Sequence, residues 1–216
     1  MDGVSRQRSL PLETLTRLPG YRHKLQQLVK NGVKTVSSRD LAEQLGVGDA
    51  QLRRDLSYLR LLGKPGRGYD VRHLEEGITR ALGLDRRWPL AIVGYGSLGT
   101  ALSRYEGYAR DNFEVAAIFE VDPAKVGKKV RSVTVSHIDD APRVIAEAGI
   151  KLAVIAVPPL DAQEAVDAMV AAGVTALLNF APVVVTVPPG VILRQVDISA
   201  ELQILAHLKT TANGRV

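Results

Sequence analysis

The chain of 216 residues contains no cysteine, which rules out disulfides, thiolate-held zinc and thiol nucleophiles and is compatible with a reducing cytoplasm. No stretch approaches the roughly 18 uninterrupted apolar residues of a membrane span. The opening MDGVSRQRSLPLETL has no apolar core of a signal peptide. Aromatic residues are scarce at 5%, and the four histidines, His23, His73, His137 and His207, form no His-x-x-x-His pair, nor does an acidic metal cluster appear. These absences predict a cytoplasmic protein that works without a metal and without a membrane.

What is present is the composition of a folded globular protein, 46% hydrophobic and 24% charged. The net charge of +5 is unevenly spread: residues 1–88 hold 17 Lys/Arg against 10 Asp/Glu, and residues 89–216 hold 11 against 13. A basic first part beside a mildly acidic second predicts that only the first meets a polyanion.

The first part reads as helices. Leu18, Tyr21, Leu25, Leu28 and Val29 keep 3/4 spacing up to a stop at Asn31-Gly32. A Ser37 cap with Asp40 three residues on opens a second helix, stopped at Gly46. A third begins near Asp49, buries Leu52, Leu56 and Leu59, and is expected to run to Gly63. The GVGD turn between these two is the short connection of a helix-turn-helix, with Ala42 at the close approach and Leu45, Val47 and Leu52 as its small core. KPGRGYDV then predicts a tight hairpin leading to a strand at 69–71, followed by a helix over 72–84. A break over 83–90, GLDRRWPL, marks a junction, so residues 1–84 are expected to form a winged helix-turn-helix domain.

From Leu90 onward short apolar strands alternate with Ala-rich helices. Strands are expected at 90–93, 115–120, 133–135, 152–157, 176–178 and 192–196, and helices at about 98–108, 139–148 and 161–172. Runs such as LAIV, AAIF and LAVIAV suit strands covered on both faces. The alternation predicts an α/β fold, a Rossmann-like doubly wound parallel sheet over residues 85–197. The tail, 198–216, begins with an amphipathic helix over 198–209 that sets Leu202, Leu205 and Leu208 on one stripe.

Gly94-Tyr95-Gly96-Ser97-Leu98-Gly99 is a G-x-G-x-x-G between an expected strand and an expected helix. In that setting Gly94 permits the tight turn, Gly96 lets backbone approach a pyrophosphate, and Gly99 allows close packing, with Tyr95, Ser97 and Leu98 completing the loop. Glu120 closes the second strand, where an acid accepts hydrogen bonds from the adenine ribose and repels a 2′-phosphate, favouring NAD(H). Asp122 is the competing acid, although Asp-Pro-Ala also reads as a helix cap. AVPP and NFAP close the fourth and fifth strands, which makes Val157, Pro158, Asn179, Phe180 and Ala181 candidates for the nicotinamide side.

Towards DNA, the third helix carries Gln51, Arg53, Arg54, Ser57 and Tyr58 away from its leucine stripe. Arginine can read guanine edges in the major groove, and hydroxyls can fix phosphates. Ser38, at the start of the second helix, joins this set. Lys64, Gly66 and Arg67 would form a basic wing. No paired His, carboxylate and substrate-holding Arg supplies a proton relay. Ser97 lacks the glycine of a nucleophile elbow, since Tyr95 stands there. Binding without turnover is the expectation. A small NAD-dependent oxidoreductase with an accessory basic domain, and a CoA- or nucleotide-binding module, are the alternatives.

Over roughly residues 14–209 the segments LRRDLSYL, GKPGRGYDV, LGLDRRWPLAIVGYGSLGTAL, FEVDPAKVG, AVP and LNFAPV resemble the Rex family of bacterial redox-sensing transcriptional repressors. The resemblance implies a homodimer on double-stranded, pseudo-palindromic operator DNA, released when NADH rises relative to NAD+, with a domain-swapped last helix. By position, Gly94, Gly96 and Gly99 match the family's phosphate loop, and Glu120 stands where the family usually has Asp. Tyr105 matches a tyrosine tied to the nicotinamide-dependent switch and Asp197 a carboxylate near the same place. In the first helix YRHK replaces the family's YLR. His23 is therefore in register with an arginine that pairs with that carboxylate across the dimer, and Arg22 and Lys24 flank it as substitutes. A histidine in that pair would make regulation sensitive to pH.

Overall fold

The computed structural model describes residues 10–64 and 66–213; residues 1–9 and 214–216, and Pro65 of the KPGRGYDV motif, lie outside the described residues. The chain divides into two compact units, Met1–Arg86 and Arg87–Val216.

The first unit runs α1 (Leu12–Lys30), β1 (Thr35–Val36), α2 (Ser38–Leu45), α3 (Asp49–Tyr58), β2 (Tyr69–Asp70) and α4 (Val71–Ala81). Leu18, Leu25, Leu41, Leu52, Leu56 and Ile78 form its core, all essentially without solvent contact. Ser37 caps α2 by accepting the Asp40 N–H at 3.0 Å, and Gly46 ends it in the left-handed region with φ 66°.

α3 departs from expectation. It stops at Tyr58, not Gly63, because Arg60 takes the left-handed conformation (φ 58°) and Leu61 N–H returns to the Leu56 carbonyl at 3.0 Å. That 6→1 closure satisfies helix-end carbonyls, and burial of Leu61 against Gly77 of α4 holds it in place. Lys64 and Gly68 then exchange both backbone hydrogen bonds, at 2.8 and 3.0 Å, to make the wing hairpin. β2 ends at Asp70, which caps α4 by accepting the His73 N–H, so Val71 is helical and not part of the expected strand. β1, two residues long and antiparallel to β2, is too short to show alternation in sequence.

The second unit runs β3 (Trp88–Val93), α5 (Ser97–Ser103), α6 (Gly107–Arg110), β4 (Phe113–Glu120), β5 (Lys129–Val130), β6 (Val133–His137), α7 (Ala141–Ala148), β7 (Leu152–Ile155), α8 (Ala162–Ala171), β8 (Ala176–Asn179), β9 (Ile192–Gln195) and α9 (Ile198–Asn213). The sheet order is β5-β6-β4-β3-β7-β8-β9, and every pair is parallel except β5–β6. Counting only the parallel strands in chain order, this is 3-2-1-4-5-6, the doubly wound dinucleotide-binding order. α7 and α8 bury Ile145, Val166 and Met169 against Val93, Phe119 and Ile155 on one face. Leu102, Tyr108 and Phe113 pack on Leu90, Ile92 and Val154 on the other. Each fully buried side chain among them contributes roughly 1.5–3 kcal/mol by leaving water, and the partly buried Leu102, Tyr108 and Phe113 less.

Several expected bounds shift. Trp88 and Pro89 already belong to β3; pairing with β7 begins only at Leu90, so the missing N–H of Pro89 breaks no ladder on that side. The expected helix 98–108 is two helices. Arg104 and Tyr105 bond back three residues to Ala101 and Leu102, tightening the end of α5, and the Tyr105 ring lies against Gly107. β7 ends at Ile155, two residues early, ahead of the Val157-Pro158 bend. β5 is an unforeseen short edge strand that carries Lys129, a common protection for an open edge. α9 extends to Asn213, and its Ile198, Leu202, Leu205 and Leu208 are each more than half exposed. Among the described residues no helix is long and apolar enough to cross a membrane, and no group of three His, Asp or Glu could hold a metal.

Candidate functional site

The glycine loop lies between β3 and α5, beside the point where the sheet order reverses between β3 and β7. Gly94 has φ 93°, and a Cβ there would meet the Ala156 carbonyl at 2.7 Å and Val157 at 2.8 Å. A Cβ on Gly99 would run into the Gly94 carbonyl, whereas one on Gly96 would find nothing within 4 Å. Two glycines are thus forced by packing and the middle one by nothing inside the chain. That is the pattern of a backbone left open for a phosphate to approach.

Glu120 joins the loop to the end of β4. Its Oε2 accepts the Tyr95 N–H at 2.9 Å and faces Lys125 Nζ at 3.3 Å; its Oε1 accepts the Val121 and Asp122 N–H groups at 2.8 and 3.2 Å. Burial pushes its pKa up, but the backbone donors of Asp122, Tyr95 and Val121 and the Lys125 ammonium outweigh burial and hold the carboxyl below its usual range. Asp122 accepts the Ala124 N–H at 2.9 Å, and Lys125 Nζ lies 3.5 Å from its other oxygen. The expected helix cap is corrected: residues 123–127 form a turn, so Asp122 closes a turn and begins no helix. Lys125 was not singled out from the sequence, although a cation three residues after one acid and five after another was its signal.

Val157 packs beside Gly94, with Pro158 next to it and exposed. At the end of β8, Asn179 is fully buried. Its Nδ2 donates to Gln195 Oε1 at 2.9 Å and to the Ala181 and Val183 carbonyls, while its Oδ1 accepts the Ala181 N–H at 2.9 Å. Asn179 therefore shapes its own loop and does not offer its amide to a ligand. Gln195, which completes this clamp, left no signal in the sequence. Ala181 is buried and Phe180 half-buried against the Leu90 cluster.

Within the second unit Tyr105 and Asp197 line separate pockets. Tyr105 is 56% exposed, meets Tyr108 edge-on at 5.2 Å, and lines a pocket with Phe113, Arg131 and Val133. Asp197 caps the first turn of α9 by accepting the Ala200 N–H at 3.0 Å and lines a separate apolar groove with Val183, Val184 and Leu193, across the sheet. His23 is exposed on α1 and bonds Gln27 at 3.0 Å. Arg22 is buried against α4, donating to Thr79 at 2.9 Å with Glu75 at 3.6 Å, so it is no substitute for His23.

On the first unit, Arg53, Arg54, Ser57 and Tyr58 are exposed on α3, and Lys64, Gly66 and Arg67 on the wing. Ser38 is half-buried at the start of α2, beside the exposed Arg39. Arg53 pairs with Asp49 one turn earlier; an exposed pair of this kind is worth about 0–1 kcal/mol, so the guanidinium is readily recruited elsewhere. Ser57 donates to the Arg54 carbonyl at 2.7 Å.

Gln51 is half-buried at the start of α3, and its amide donates to Asp55 Oδ1 at 3.0 Å. Asp55 is fully buried and also accepts from Thr14 at 2.9 Å, from Tyr21 at 2.9 Å, and twice from Arg17, at 2.7 and 2.9 Å. Burial would raise its pKa; the hydrogen bonds from Arg17, Tyr21, Thr14 and Gln51 prevail and lower it. The network fixes α3 on α1. An acid set within the stripe of Leu52, Leu56 and Leu59 was its signal.

Two family models match the chain, one described as "CoA binding domain" over residues 85–183 and one as "Putative DNA-binding protein N-terminus" over residues 9–57. The redox-sensing transcriptional repressor Rex of Streptomyces griseus is 50% identical over 94% of this chain and 80% of its own length. That of Roseiflexus is 44% identical over 94% and 93%. Among solved structures, RSP in complex with NAD+ and operator DNA superposes with a TM-score of 0.88 at 34% identity, covering 96% of this chain and 99% of that one. RSP in complex with NADH superposes with a TM-score of 0.84 over 94% and 95%.

Proposed function

The chain belongs to the Rex family of redox-sensing transcriptional repressors, and from that premise we propose that it represses transcription as a homodimer whose grip on operator DNA is set by the NADH/NAD+ balance. The observation that carries this reading is one chain holding both parts: a winged helix with its arginines exposed, and a glycine loop left open at Gly96 beside a bonded acid.

In this reading residues 1–84 are the output, with Arg53, Arg54, Ser57 and Tyr58 towards the major groove, Ser38 at its edge, and Lys64, Gly66 and Arg67 on neighbouring backbone. Residues 85–197 are the input. The loop of Gly94, Tyr95, Gly96, Ser97, Leu98 and Gly99 would hold the pyrophosphate, Glu120 and Asp122 the adenine ribose, and Val157, Pro158, Phe180, Ala181 and Tyr105 the nicotinamide side. Bound dinucleotide supplies a redox-dependent charge at that side. Residues 198–216 would swap across to the partner, which gives the exposed leucines of α9 a cover and can bring Asp197 of one protomer to Tyr105 and His23 of the other. The protein would work in the cytoplasm, where its operator lies.

Fluorescence anisotropy of an operator duplex at fixed salt tests this, with NADH, NAD+ and CoA added separately. NADH is expected to release the duplex and NAD+ to leave it bound. Equal affinity with and without NADH overturns the reading. Release by CoA alone would favour the CoA-binding module that the match over residues 85–183 brings into view.

A further inference from the structure

Glu120 occupies the position from which a dinucleotide fold addresses the adenine ribose, yet all its acceptor capacity is in use. A carboxylate offers about four lone-pair sites. Three are taken by backbone N–H groups of Val121, Asp122 and Tyr95, which the strand end and the glycine loop hold in place. The fourth donor is Lys125 Nζ, 3.3 Å from Oε2, and it alone is a flexible side chain, 34% exposed. The same ammonium lies 3.5 Å from Asp122 Oδ2. One cation therefore sits between the two acids of the ribose position and cancels much of the negative field that would turn away a 2′-phosphate.

We propose that Lys125 is the residue that sets how strongly this protein distinguishes NADH from NADPH, by neutralising Glu120 and Asp122 and yielding Oε2 to an arriving ribose. This rests on the dinucleotide reading above. A ribose diol needs an acceptor, and the three backbone donors cannot leave without distorting the strand end; Lys125 can swing away, because it is a flexible side chain with a third of its surface in solvent and the more exposed Asp122 stays within its reach. Once displaced, the ammonium remains beside the ribose edge, where it attracts a phosphate as a point charge. The acids alone would reject NADPH; the acids with Lys125 reject it less.

Titration of the whole protein with NADH and with NADPH, followed by the fluorescence of each dinucleotide, tests this in the unsubstituted chain, Lys125→Met and Lys125→Arg. Methionine keeps the stem and removes the charge. It is expected to weaken NADPH relative to NADH by roughly tenfold, the effect of one charge a few ångströms away in a partly wet site, while arginine keeps the original ratio. An unchanged ratio in Lys125→Met, or loss of both dinucleotides alike, marks Lys125 as merely structural and overturns the proposal. So does failure of NADPH to bind the unsubstituted protein at millimolar concentration when NADH saturates it. If NADH itself does not bind the unsubstituted protein, the dinucleotide reading falls, and the proposal with it.

Discussion

Asp55 shows how much one buried carboxylate carries. It is satisfied only as an anion, by Arg17, Tyr21, Thr14 and Gln51 together. Asp55→Ala leaves the buried Thr14 and Tyr21 hydroxyls without their acceptor and the half-buried Arg17 and Gln51 without a partner, and should cost about 1–3 kcal/mol, read from urea unfolding of the full chain. Because its folded pKa is lowered, the stabilisation is complete above the unfolded value of about 4 and is lost as pH falls below it, so acid unfolding should be shallower in Asp55→Ala. Tyr21 has the opposite sign. Burial first, then its bond to Asp55, pushes its hydroxyl up to about 12, so its contribution is intact below about 10 and drains away between there and 12. An ultraviolet titration should show a tyrosine that ionises late, and Tyr21→Phe should remove that step. Gln51→Ala is expected to weaken folding of the first unit without changing which base pairs are preferred.

At the level of elements, the helix-turn-helix and the strand–glycine loop–helix were legible because each rests on local rules. A cap at Ser37, a glycine stop at Gly46 and a periodic leucine stripe leave few alternatives. What escaped was held by tertiary partners. The end of α3 depends on Arg60 in a conformation usually left to glycine and on Leu61 finding a pocket against Gly77. The break after α5 depends on a ring lying over Gly107, and the Asn179–Gln195 clamp joins residues 16 apart on neighbouring strands. The acid at the end of β4 could be named from its position, but the donors that fill it could not, since they come from two separate stretches of backbone and a turn. For the DNA-facing elements the roles separate by experiment. Arg53→Ala should relax preference at one base pair by about 1–3 kcal/mol, whereas Lys64→Ala should weaken all duplexes alike and reduce the salt slope by about 1. Competition between operator variants at two salt concentrations distinguishes the two.

For the whole molecule, a ligand moves a two-state equilibrium only by binding the states unequally, and the coupling is reciprocal. If NADH lowers operator affinity by some factor, saturating operator must lower NADH affinity by the same factor; calorimetric titration with and without the duplex checks this. Assembly has its own test. Leu205 is more than half exposed on α9 in a single chain, so Leu205→Glu costs little within one protomer but should dissociate the proposed dimer, visible as a halved mass in sedimentation equilibrium.

The separation of Tyr105 and Asp197, each lining its own pocket on a different side of the sheet, has a genetic consequence. If the two meet only between protomers, Tyr105→Ala and Asp197→Ala each destroy both copies of the pair in their own homodimers. A cell that makes both variants at once also assembles mixed dimers, in which one of the two pairs is whole. Partial recovery of regulation from two defective alleles is the expected phenotype, and its absence would place Tyr105 and Asp197 in separate roles.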